Sequence, residues 1–197
     1  MNDLMYFFFQ KPRIWKYSLL SDIQEIRGKA AIQQPVLFTG KGKVIIGRGV
    51  VIGTRRSPNF FSDYSYIEAR QESSVIEIGD RVWTNNNLII ICNESKIVIN
   101  KDTLIGFNVE ILDSDFHNLS PLSRRSGIPR SEPINIESNV WIGSNVKILK
   151  GVSIGKNSII ANGSIVVKSI PKNVVAGGVP AKIIRTIEDE KSYSENP

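Results

Sequence analysis

One spacing limits what this chain can fold into more than any other feature: an aliphatic residue recurs at every sixth position. From residue 136 the series reads Ile136, Ile142, Ile148, Ile154, Ile160 and Val166. A second track lies four residues on, at Val140, Val146, Val152, Ser158 and Ser164. Upstream, the same phase links Ile46 to Ile52, Ile78 to Thr84 and Ile90, and Ile99 to Ile105 and Ile111. It breaks at 54–77, 91–98 and 118–133. A period of six is neither the 3.6 of a helix nor the two of a lone strand. It fits a short strand plus a turn. Three such units close one coil of about 18 residues, and coils stack at about 4.8 Å. The Ile track then points inward, while Asn and Gly supply the positive-φ corners. The spacing therefore predicts an all-β chain: a parallel β-helix in which each coil buries its face against its neighbours.

Composition agrees. The 197 residues hold 30 Ile and 16 Val but only 10 Leu and 6 Ala, a balance that favours pleated surfaces over helices. The domain is expected over 31–185, with a protruding loop at 118–133. Ahead of it, 1–30 form a short strand or helix segment, and 186–197 form a polar tail. Residues 18–30 are expected to hold one short helix capped by Ser21, with Ile23 and Ile26 on one face. Tyr6-Phe7-Phe8-Phe9 is too short and too poorly flanked for a membrane span or a secretory signal. It is expected to pack on the domain or on a neighbouring subunit. A membrane-surface anchor is the alternative, because Arg13, Trp15 and Lys16 lie close by.

The sequence contains one Cys and one His. A lone Cys excludes an internal disulfide and any multi-cysteine zinc site, and suits a reducing, cytoplasmic setting. A lone His excludes a three-histidine metal centre, so no metal is expected. The formal net charge of +6 suits an anionic ligand or simple solubility.

Residues 134–185 carry Val140-Trp141-Ile142-Gly143-Ser144 and end in Gly177-Gly178-Val179-Pro180-Ala181-Lys182. This stretch resembles the hexapeptide-repeat acyltransferases, in particular the galactoside, maltose and nodulation-type O-acetyltransferases. The resemblance covers roughly 40–187. It implies a left-handed coil, a homotrimer with active sites between subunits, and acetyl-CoA as the acyl donor. The long N-terminal helical domain of serine acetyltransferases is absent. The segment Ile111–His117 is more similar to enzymes that acetylate surface or capsular polysaccharides and their precursors.

His117 stands just before the loop, at the position where the family keeps its catalytic base. An imidazole with a pKa of about 6.5 suits proton abstraction from a hydroxyl near neutrality. Asp113 and Asp115 are nearby, but neither is assigned as its partner, and both suit solvated corners. By resemblance, Asn85 binds the acceptor hydroxyl and Trp141 lines the acceptor channel. The backbone N–H of Ser144 faces the thioester oxygen, where a fixed donor stabilises developing charge. Asn162 stands where the family usually has a smaller residue along the coenzyme arm. Lys168, Lys182 and Arg185 match positions that meet the coenzyme phosphates, and Val167 replaces the usual Thr or Ser. Arg124, Arg125 and Arg130 form a basic group beside His117, able to hold an acidic sugar, to steer the coenzyme, or merely to be solvated. Cys92, set among Ile89–Ile91, reads as a buried thiol rather than a nucleophile.

The expected activity is direct attack of a sugar hydroxyl on acetyl-CoA, with a carbohydrate acceptor and no nucleic acid. Two alternatives stand beside it. One is N-acylation of an amino sugar or acetylation of an antibiotic; the other is a non-catalytic solenoid that binds a partner through its flat faces.

Overall fold

The structure is a computed structural model that describes Leu4 and residues 6–187. Most of the expected tail, 186–197, therefore lies outside the described residues. The chain winds as a left-handed parallel β-helix with three flat faces. The first face stacks Glu25–Arg27, Lys43–Ile46, Val75–Ile78, Lys96–Ile99, Ile134–Ile136 and Ser153–Ile154. The second stacks Ala31–Ile32, Val51–Ile52, Trp83–Thr84, Leu104–Ile105, Trp141–Ile142 and Ile159–Ile160. Val174–Gly178 and the antiparallel Ala181–Thr186 finish that face. The third stacks Val36–Thr39, Ser65–Ala69, Ile89–Cys92, Glu110–Leu112, Lys147–Leu149 and Ile165–Val166.

The register aligns the inward track coil on coil. On the second face Ile52, Thr84, Ile105, Ile142, Ile160 and Ala176 follow one another. All are buried. Thr84 is the polar exception in this column, and its Oγ1 has no partner. Outside, the corners carry their own ladders. Asn87, Asn108, Asn139, Asn145, Asn157 and Asn173 have φ between 56° and 63°, which a short polar side chain tolerates. Asn139 donates to Asn157 at 3.0 Å, and Asn157 to Asn173 at 2.8 Å.

Only one of the three phase breaks, 91–98, stays wholly within the coil, and 54–77 does so only in its second half. After Ser65–Ala69 and after Ile89–Cys92 the chain only takes a longer third-to-first corner, at 70–74 and 93–95, so the solenoid runs on while the six-residue count slips. Only 53–64 and 113–133 depart from the stack.

The N-terminal expectation needs correction. The helix is Lys11–Leu20, not a segment within 18–30, and Pro12 sits in its first turn, where a missing N–H is harmless. Ser21 closes the helix C-terminus: its Oγ donates to the Tyr17 carbonyl and accepts from the Phe38 amide. Ile26 lies on a strand that already pairs with Lys43–Ile46. Before the helix, Tyr6–Gln10 makes one wide helical turn, in which Tyr6 stacks on Phe60 at 6.1 Å. No helix among the described residues is long and apolar enough to cross a membrane.

The inward column sets a clear contrast. Ile154 is fully buried and Lys172 is exposed. Ile154→Asp places a carboxylate in the apolar interior at a cost of several kcal/mol and is expected to yield no soluble folded protein. Lys172→Asp is expected to move Tm by only a few degrees. Equal thermal stability of the two variants would show that the column does not carry the fold.

Candidate active site

The residues singled out in the sequence fall on two edges of the triangular coil. Asn85, Ser144 and Asn162 lie along the edge between the second and third faces, just beyond their second-face strands, with the coil of Phe107 between Asn85 and Ser144. Lys182 pairs with Gly177 at the terminal end of this edge. His117 belongs to the other end of the third face, where the chain leaves Glu110–Leu112. Lys168 follows Ile165–Val166 at that same third-to-first edge, two coils further on. The structure thus groups Asn85 with Ser144, Asn162 and Lys182, and groups His117 with Lys168. It does not bring the two groups together. A face of about six residues, at about 3.3 Å each, separates them.

The first edge is built from corner amides. Three of the N–H groups there are capped by a polar side chain from the next coil. The Thr54 amide donates to Asn86 Oδ1 at 2.9 Å, and the Phe107 amide donates to Ser144 Oγ at 3.2 Å. The Ser144 amide donates to Asn162 Oδ1 at 2.8 Å. The Ser144 N–H is thus occupied by the longer side chain at Asn162. Above Asn162 the column ends in Gly178, which has no side chain to offer. The amide of Asn162 itself has no partner among the described residues.

Three consecutive asparagines are told apart by their partners. The Asn86 amide group donates to the carbonyls of Ser57 and Pro58. Asn87 donates to Asp63 Oδ2 at 2.7 Å and accepts from Gln34. Both are consumed in holding the 53–64 loop. The Asn85 carboxamide has no hydrogen-bond partner among the described residues and stays free for a ligand. A shallow hollow of about 380 Å³, which Asn85 does not line, opens on the third face among Asp63, Tyr64, Tyr66, Asn87, Ile89, Ile91 and Asn108.

Trp141 lies on the outer surface of the second face, in register with Leu104 and Trp83. Their exposures are 54%, 52% and 48%. Trp141 therefore belongs to an exposed apolar stripe on this face. Trp83 is the residue that the sequence reading missed, although Val82-Trp83 repeats the phase of Val140-Trp141. Arg185 projects from the last strand opposite Val175.

At the second edge the loop is pinched at its neck by a bridge between Ser114 and Ser131. Phe116 takes a φ of 60° and packs its ring against Arg70, whose guanidinium carbon lies 5.0 Å from the ring centre. This turn presents His117 outward, exposed and without a hydrogen bond among the described residues. Asn118 organises the loop beyond, accepting from the Ser120 amide and the Ser123 hydroxyl and donating to the Ile128 carbonyl. Leu119, Leu122 and Ile128 are left on its surface, Leu122 almost fully exposed.

The nearby charges are not arranged as solvated corners. Asp113 is fully buried and accepts from the Asn93 and Ser95 amides and from Ser95 Oγ. It ties down the 93–95 turn and does not touch His117. Asp115 pairs with Lys150 at 3.2 Å. The three arginines do not form one basic group, because Arg130 is bound to Glu132 at 2.6 Å. Cys92 donates to Asp113 Oδ2 at 3.4 Å. Burial, then the Asp113 charge, push its thiol up to about 12, so it is no nucleophile near neutrality.

Comparison with known proteins completes the picture. The bacterial transferase hexapeptide family (six repeats) matches residues 133–168. The Saccharomyces cerevisiae protein YJL218W, an acetyltransferase by name, is 42% identical over 94% of this chain and 84% of its own length. Escherichia coli galactoside O-acetyltransferase is 45% identical over 61% of this chain, a match that spans 58% of that enzyme. A solved galactoside acetyltransferase in complex with coenzyme A superposes with a TM-score of 0.51 at 29% identity. It covers 86% of this chain and 68% of the other.

The capped amide makes a direct test. Asn162→Ala removes the acceptor over the Ser144 N–H, and that amide is expected to exchange with deuterium about tenfold faster. An unchanged exchange rate, with the fold intact, would show that the cap does not hold in solution.

Proposed function

This chain belongs to the hexapeptide-repeat acetyltransferases, and from that premise we propose that it transfers the acetyl group of acetyl-CoA to a hydroxyl of a sugar. The observation that carries the reading is the division of its polar equipment between two edges. One edge offers the free Asn85 carboxamide, the uncapped Asn162 amide and Lys182. The other offers the exposed His117 imidazole and Lys168. Neither edge is a site alone. A second copy, packed so that its His117 edge meets the Asn85 edge of the first, completes one, and rotation about a threefold axis closes three. The apolar stripe through Trp83, Leu104 and Trp141 and the bare tips Leu122 and Ile128 supply surface for such packing.

In this arrangement Asn85 fixes the acceptor hydroxyl by donating and accepting at once. His117 takes the hydroxyl proton as the oxygen attacks the thioester carbon. The C–O bond forms, the C–S bond breaks, and the proton passes on to the leaving thiolate. No enzyme-bound acyl group is needed, in keeping with the buried Cys92. The hollow lined by Tyr64, Tyr66 and Asp63 suits a sugar ring, which pairs an apolar face with hydroxyls. Asn162 has two tasks. Its amide is open to the amide-rich arm of the coenzyme, and its side chain must leave the Ser144 N–H before that group can face the thioester oxygen. Lys168, Lys182 and Arg185 supply cations for the phosphates. The acceptor is a unit of a surface polysaccharide or its precursor, and the reaction takes place in the cytoplasm.

His117→Ala is expected to keep the fold and the oligomer while lowering acetyl transfer by about 10²–10⁴-fold, measured by release of free coenzyme A thiol in the presence of a panel of sugar acceptors. Near wild-type turnover in that variant would remove His117 from the reaction. Transfer to amino groups but to no hydroxyl would favour the N-acylating alternative.

A further inference from the structure

The N-terminal cap of the solenoid presents a surface that the transfer reaction does not use. Phe7, Phe8 and Phe9 are 63%, 61% and 57% exposed, and Trp15 and Leu19 each 70%. Trp15 and Leu19 are one helical turn apart, so they project side by side. Between Leu4 and Ser21 the sequence holds Lys11, Arg13 and Lys16 and no acidic residue.

The segment is fixed from beneath, so these side chains cannot fold inward. Gln10 is fully buried and donates to the carbonyls of Gln33 and Phe60, at 3.0 and 2.8 Å. Arg13 turns inward and donates to Gln10 Oε1, the Phe60 carbonyl and the Asp63 carbonyl. Tyr17 packs on Tyr64 with ring centres 4.5 Å apart. Lys11 and Lys16 remain outside, exposed among the aromatic rings. A groove of about 570 Å³ runs along the outer side of the helix, lined by Phe7, Lys11, Ile14 and Trp15.

We propose that this cap docks the protein onto an anionic lipid bilayer. Aromatic side chains held outward on a rigid base insert at the headgroup boundary, and lysines beside them meet lipid phosphates. Charge decides between a bilayer and a second copy. Two such caps facing each other would bring Lys11 and Lys16 against their own equivalents with no acid in the segment to compensate. An anionic surface neutralises them instead. Docked in this way, the solenoid is positioned at the surface from which a lipid-carried glycan would be reached.

Sedimentation with vesicles tests this assignment. One set is pure phosphatidylcholine; the other contains one-third phosphatidylglycerol. The full chain is expected to bind the anionic vesicles and to leave the neutral ones largely unbound. Phe8→Ser combined with Trp15→Ser should weaken binding more than tenfold. Lys11→Gln with Lys16→Gln, or high salt, should weaken it severalfold. Circular dichroism and acetyl transfer to a soluble acceptor should remain at wild-type values, since none of these side chains lies in the proposed reaction site. Absence of binding to anionic vesicles, or equal binding of wild type and the Phe8, Trp15 double variant, would overturn the proposal. So would assembly into a larger oligomer that reverts in Trp15→Ser without any vesicle binding, because the cap would then be a contact between copies.

Discussion

Everything in this molecule hangs on the vertical stacking of one coil upon the next. Parallel backbone hydrogen bonds set the spacing, and the spacing forces like positions to lie over like. An inward column must then be filled by residues of nearly constant volume. Ile and Val meet that demand, each burying a side chain worth roughly 1.5–3 kcal/mol. The same rule acts on polar groups. A corner N–H can find its acceptor directly above or below, and Asn86, Ser144 and Asn162 each cap the residue one coil away. Asp113 is the extreme case: a buried carboxylate whose charge is met by the amides of the turn in the neighbouring coil.

Filling the interior has a consequence for function. A coil packed solid with aliphatic side chains has no space for a ligand, so chemistry must be placed on edges and protrusions. Stacking makes each edge a straight row, and a row holds only part of what acyl transfer requires. In the proposed reaction the Asn85 edge binds and polarises, and the His117 loop accepts a proton. On that proposal, a second copy joins the two edges and completes a site without asking any strand to move.

The sequence made the solenoid legible because burial repeats with the geometry that causes it. The inward Ile column, the Asn corners, the loop after the fourth coil and the buried thiol all follow from that periodicity. Features that depend on contacts across coils were not legible. The break at 91–98 showed only as a lost phase, since nothing in the linear pattern reveals that Asp113 holds an enlarged corner in place. Three adjacent asparagines looked alike until Gln34, Ser57 and Asp63 claimed two of them. Ser21, read as a helix opener, instead closes a helix whose first turn holds Pro12. At Asn162 the sequence showed a residue larger than usual, but only the fold showed that it reaches the Ser144 amide.

The central claim, that one site is divided between two copies, is tested most directly by subunit mixing. Asn85→Ala and His117→Ala proteins are each prepared, dissociated mildly, mixed in equal amounts and reassembled. With one productive orientation at each contact, roughly a quarter of the contacts then join an intact Asn85 to an intact His117. Acetyl transfer should rise from the low level of either parent to about that fraction of wild type. Mixed assemblies confirmed by native mass spectrometry that show no gain over the parents would contradict the account and return both residues to a single chain.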